Sequence, residues 1–159
     1  FLLSKPVTRE SVAGQKLAAV LAMLFILNAV IAAVSFACTG FADEAVETDI
    51  LAWYLIATFL LHATVASVSF LLSALMRRTR SVASLALGIV FLSYALHVAA
   101  GLSDRFAFLR RVSLFAFTDA AAITENGGLA VPDAAAMALV SLLCVVGAIG
   151  YYRNKDIAG

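Results

Sequence analysis

Uncharged runs and short charged stretches alternate along this chain, and the runs are longer than a soluble core requires. Leu17 to Ala42 carries no charge over about 26 residues, against the roughly 20 that a helix needs to cross a hydrocarbon core. Ile50 to Met76 and Val82 to Leu102 repeat the pattern, and Ala134 to Tyr152 completes it. The pattern predicts an all-α fold, a polytopic transmembrane helix bundle with spans near 17–42, 50–76, 82–102 and 134–152. Residues 1–16, a short apolar run followed by a basic, proline-marked turn and a polar stretch, and the tail 153–159 flank the bundle. A longer connector, 103–133, precedes the last span.

That connector is too long for a plain loop. Phe106, Leu109, Val112 and Phe115 or Phe117 recur near helical spacing with Arg110 and Arg111 between them, which predicts a short amphipathic helix in the interface. Ala116 to Ile123 is apolar apart from Thr118 and Asp119. It is a candidate to dip into the membrane as half of a re-entrant hairpin, which needs cover from protein or a water-filled cavity. Asn126-Gly127-Gly128 reads as a turn, and Pro132 suits the start of a helix.

Composition agrees with the pattern. The chain is 64% hydrophobic and 13% charged, with mean hydropathy +1.02, where soluble domains lie near half apolar and a quarter charged. A net charge of +1 gives no case for a nucleic-acid partner, and membrane lipids are the expected surroundings. Charge placement says more than the total. Lys5, Arg9, Lys16, Arg77, Arg78, Arg80, Arg153 and Lys155 fall on one set of segments. Asp43, Glu44, Glu47, Asp49, Asp104, Asp119, Glu125 and Asp133 fall on the alternate set, with Arg105, Arg110 and Arg111. By the positive-inside rule both ends are cytoplasmic, in a multi-pass protein of the inner or plasma membrane. The first residue is Phe1, so the chain is expected to be a piece of a longer protein.

Few residues offer chemistry. His62 and His97 are the only histidines, and both lie within spans, where ionisable groups mark function by default. Their depths differ by about 10 Å at the helical rise, which is awkward for two ligands of one haem or metal. Neutral histidines bonded between helices are the simpler reading, and no metal site is expected. Asn28 either faces a translocation path or bonds a neighbouring helix. Arg110 and Arg111 either snorkel to lipid phosphates or gate an anionic substrate. Cys38 and Cys144 read as small hydrophobes. Rows of small residues predict helix contacts: Ala29, Ala33 and Ala37; Ala63 and Ser67; Ser69 and Ser73; Ala95 and Ala99; Gly147 and Gly150. No catalytic constellation and no phosphate-binding glycine loop is present in the sequence, so the chain is not expected to be an enzyme.

Three segments together resemble the permease subunit of a type-2 ABC transporter. Leu2-Leu3-Ser4-Lys5-Pro6-Val7-Thr8-Arg9, followed by Gly14-Gln15-Lys16, is similar to the family's cytoplasmic coupling segment. Arg110-Arg111-Val112-Ser113-Leu114-Phe115-Ala116-Phe117 resembles its outer leucine-serine-proline-phenylalanine segment, with Leu114 where proline is usual. Tyr151-Tyr152-Arg153-Asn154-Lys155-Asp156-Ile157 resembles its aromatic and basic ending. The resemblance implies an exporter half of six helices, of which this chain holds the last four. It implies a second permease copy and a separate ATP-binding cassette subunit that holds the ATP and Mg, with no cofactor in this chain. Leu2, Leu3, Ser4, Lys5, Pro6 and Arg9 would contact that subunit, while Asn28, His62, His97, Arg110 and Arg111 are candidates for the path or its gate. The alternatives are a membrane redox or metal protein built on the histidines, and a membrane scaffold without transport.

Overall fold

A computed structural model describes residues 9–41, 47–76, 79–102, 105–106, 108–109 and 113–154. Among these the chain is all-helical. Helix α1 runs Arg9–Thr39, α2 Thr48–Leu75, α3 Thr79–Leu102, α4 Ala120–Glu125 and α5 Val131–Asn154, with a 3-10 turn at Leu114–Thr118 before α4. Four stretches are long and apolar enough to cross a membrane: Gly14–Thr39, Thr48–Leu75, Ser81–Leu102 and Val131–Tyr152. These runs form helices because no water remains at that depth to satisfy backbone groups, so each span must bond its own.

Two helices extend beyond the uncharged runs. Helix α1 begins at Arg9, not at the edge of the uncharged run, so residues 9–16 join the span in one continuous helix. Helix α5 begins at Val131, with Pro132 in its first turn, where a missing N–H costs nothing. Asp49 and Asp133 sit in the first turns of α2 and α5, matched to the positive end of each helix dipole.

Helix α2 is the hub, packing most extensively on α5 and also on α1, α3, α4 and the 3-10 turn. Its buried positions fall in two groups, Ala57, Leu61 and Thr64 on one face and, further along, Phe70 and Ala74 roughly a third of a turn round from it. At one end Phe70 and Ala74 meet Ala148, with Leu17, Leu71 and Tyr152 packed around them. The Phe70 and Tyr152 rings lie 6.1 Å apart. The start of α1 and the ends of α2 and α5 therefore share one end of the bundle, so α2 and α5 run parallel. At the opposite end Trp53 of α2 covers the loop into α5. A methyl added at Gly128 would meet the indole at 3.2–3.3 Å.

Close approach is carried by Ala57, Ala74 and Ala148, each 0% exposed. The row predicted at Ala29, Ala33 and Ala37 stands exposed, and Gly150 has nothing within 4 Å of an added methyl. Alanine is common along the whole chain, so its spacing alone does not mark a contact. Large apolar side chains such as Met23, Phe25, Leu87 and Phe91 are at least 70% exposed. Water would penalise such faces, whereas lipid tails accept them.

Candidate functional site

Two polar groups meet between α1 and α2 at mid-span. Asn28 lies roughly 17 Å along α1 from Thr39, and His62 roughly 21 Å along α2 from Thr48. Asn28 Nδ2 donates to Leu24 O at 2.9 Å, and Asn28 Oδ1 lies 3.1 Å from His62 Nδ1. The amide thus satisfies its own helix with one end and bonds the next helix with the other. Of the two readings the sequence left open for Asn28, the structure supplies the interhelical bond.

His97 has different company. On α3 its ring lies 6.5 Å from that of Phe115, tilted by 42°. Tyr94 meets the same Phe115 ring edge-on at 5.5 Å. Each histidine therefore belongs to a separate local cluster. Among the described residues no group of three His, Cys, Asp or Glu side chains is placed to hold a metal. Cys38 and Cys144 are free thiols.

Phe115 is brought to α3 by a pair of serines, Ser113 from the segment with the outer-motif resemblance and Ser93, which the sequence did not single out. Ser113 Oγ donates to Ser93 O at 2.8 Å and accepts from Phe115 N at 3.1 Å. Ser93 Oγ accepts from Leu114 N at 2.8 Å. Both serines are buried. Ser93 lies roughly 14 Å along α3 from Leu102, so the chain after α3 turns back to that depth. There Leu114 lines a small void with Val65, Val68 and Ser69 of α2 and Ala86, Ile89 and Val90 of α3. The continuous amphipathic helix predicted through Phe117 is replaced, where described, by short 3-10 turns. A serine cap serves that tight geometry, because its hydroxyl bonds the first free N–H of the turn.

The fold returns to the surface by way of α4. Asp119 caps it, accepting from Ala121 N at 3.0 Å. Gly127, at φ +66°, ends it. Gly128 N then donates to Ile123 O at 2.9 Å and Gly127 N to Thr124 O at 3.3 Å, the Schellman pattern of bonds. This is what the predicted turn at Asn126-Gly127-Gly128 does.

A second polar seam joins α2 to α5. Ser141 Oγ sits 2.8 Å from Met137 O and 3.1 Å from Thr64 Oγ1, while Thr64 Oγ1 sits 2.8 Å from Leu60 O and 3.4 Å from Met137 O. Thr64 is 0% exposed and Met137 1%. Two hydroxyl protons thus serve a cluster of oxygens at the centre of the largest helix contact.

The remaining candidates lie elsewhere. Leu2, Leu3, Ser4, Lys5 and Pro6 are outside the described residues, as are Arg110 and Arg111. Arg9 is the first residue of α1, with its side chain outside the description. The structure therefore brings together Asn28 with His62, and His97 with Phe115. No family model, curated protein or solved structure matches this chain.

Proposed function

We propose that the chain is the membrane-spanning permease subunit of an ATP-driven exporter, similar to the type-2 ABC transporters. It would form the translocation path with a second copy and be driven by a separate ATP-binding cassette subunit. The observation that carries the reading is an ordered set of three segment resemblances laid over four spans. The described part of the middle resemblance, Ser113 to Phe117, falls on the turn that packs against α2, α3 and α5 before the last span. Physically, force must pass from a soluble subunit into the bundle. The coupling residues Leu2 to Arg9 lead directly into α1, one unbroken helix from Arg9 to Thr39. A displacement at Arg9 would be carried along that rigid rod to the Asn28–His62 bond and so into α2. Lys5 and Arg9 would meet acidic or carbonyl groups of the ATP-binding subunit, and Leu2 and Leu3 an apolar groove on it.

The test is charge reversal at Lys5 and Arg9 in the protein co-expressed with an ATP-binding cassette subunit, sought first among the genes beside its own. Membrane insertion should persist while ATP hydrolysis no longer drives transport. Wild-type coupling in the double variant, or absence of any ATP-binding subunit from the purified complex, would sink the reading.

A further inference from the structure

The hairpin joining α2 to α3 carries charge of one sign. Between Asp49 and Asp104 the sequence holds no acid, and its only lysines or arginines there are Arg77, Arg78 and Arg80. Arg77 and Arg78 are the whole connection from Met76 to Thr79, and Arg80 stands in the first turn of α3. Their side chains are outside the described residues, but chain connectivity tethers all three charges to this end of the hairpin.

At the same end lies an open cleft of about 520 Å³, lined by Met76 beyond the end of α2 and by Ser81, Ser84 and Leu85 of α3. The Ser81 hydroxyl makes no hydrogen bond among the described residues. Ser81, Leu85, Gly88 and Leu92 follow one another at intervals of four, three and four, so they share one face of α3. Leu85 is 44% exposed and Leu92 61%, and a methyl added at Gly88 meets nothing within 4 Å. The face therefore offers a hydroxyl and positive charge at the helix end, then bare hydrocarbon for roughly 17 Å toward mid-span.

We infer that this end of the hairpin holds the headgroup of an anionic phospholipid, its charge against the arginines, a headgroup oxygen on the Ser81 hydroxyl and one acyl chain along the Leu85–Leu92 face. The charge pattern selects the occupant. A zwitterionic lipid brings a cation of its own to a cleft whose surroundings are wholly positive, whereas basic pockets between membrane helices attract anionic headgroups. A free anion would leave the apolar wall of Met76 and Leu85 unused. The site stands apart from the transport reading and does not depend on it.

The test is native mass spectrometry of the full chain, titrated in detergent with phosphatidylglycerol and with phosphatidylcholine of the same acyl chains. The first phosphatidylglycerol should bind about tenfold or more tighter than phosphatidylcholine. Arg77→Gln with Arg80→Gln should abolish that preference, and Arg77→Lys with Arg80→Lys, which keeps the charge, should retain most of it. Arg153→Gln with Lys155→Gln removes as much charge from the tail and should leave the preference intact. Ser81→Leu fills the cleft without changing charge and should weaken phosphatidylglycerol roughly fivefold. Absence of any preference overturns the inference. So does an equal loss in the two glutamine pairs, which would mean net charge alone, or full affinity in Ser81→Leu, which would mean that the cleft is not the site. Displacement of the lipid by excess inorganic phosphate would overturn it in favour of a free anion.

Discussion

Ser113 and Ser93 exchange side chain for backbone in both directions. Ser113 Oγ bonds Ser93 O at 2.8 Å, and Ser93 Oγ bonds the N–H that follows Ser113, also at 2.8 Å. This pairing, not apolar packing alone, fixes how far the segment after α3 reaches into the bundle. Ser113→Ala removes a donor and a cap at a fully buried position, so it should destabilise by about 1–3 kcal/mol. Hydrogen exchange at the Leu114 and Phe115 amides should speed up accordingly. Unchanged protection at both amides would mean that the pairing does not hold the turn.

Thr64 and Ser141 give a test of the α2–α5 seam. Hydroxyl bonds between membrane helices average only about 0.6 kcal/mol, so Thr64→Val and Ser141→Ala should each cost on the order of 1 kcal/mol. Their double-mutant cycle should leave a coupling of a few tenths or more, measured by reversible unfolding in mixed micelles. Strict additivity would argue that the two hydroxyls do not bond each other.

The only tryptophan reports on the loop before α5. Gly128→Ala places a methyl 3.2 Å from Trp53 Nε1 and 3.3 Å from two ring carbons, so the indole must yield by a few tenths of an ångström. Overpacking of this kind costs about 1–3 kcal/mol, and the Trp53 emission maximum should shift. At Gly127 an added methyl meets nothing within 4 Å, but φ is +66°. Gly127→Ala should cost about 1 kcal/mol through the backbone alone and leave the emission unmoved.

Asn28 can be removed with or without its partner. Asn28→Ala leaves the His62 donor unmatched at mid-span and should destabilise by about 1–3 kcal/mol. Changing Asn28→Leu and His62→Leu together should be closer to neutral, because no polar group is then stranded. Thermal unfolding in the same detergent distinguishes the two results, and equal losses in both variants would show that packing, not the hydrogen bond, sets the cost.

The spans were legible in the sequence because a charge at mid-bilayer is costly, so uncharged length maps onto helix length with little interference. Asn28 and His62 stood out for the same reason. Their pairing did not, since it depends on how α1 and α2 are rotated against each other, which neither run encodes locally. Ser93 was harder still. A hydroxyl inside a helix is ordinarily satisfied by the carbonyl four residues back, as at Thr58, Ser67 and Ser69, and nothing in the sequence marks the one that departs from this habit. The 3-10 turn was hidden by aromatic spacing, because Phe106 to Phe117 fits a helical period while the serine cap and short reach enforce a tighter coil.

Thr64 and Met137 are 73 residues apart, and their helices run parallel. During synthesis, then, α2 is made and inserted long before α5 exists. In that interval the Thr64 hydroxyl has no partner on another helix to meet, but it is not stranded in lipid, because the Leu60 carbonyl holds it at 2.8 Å. The bond within its own helix gives the nascent span a resting state, and the late arrival of Ser141 and Met137 then finishes the seam without first having to rescue an exposed polar group.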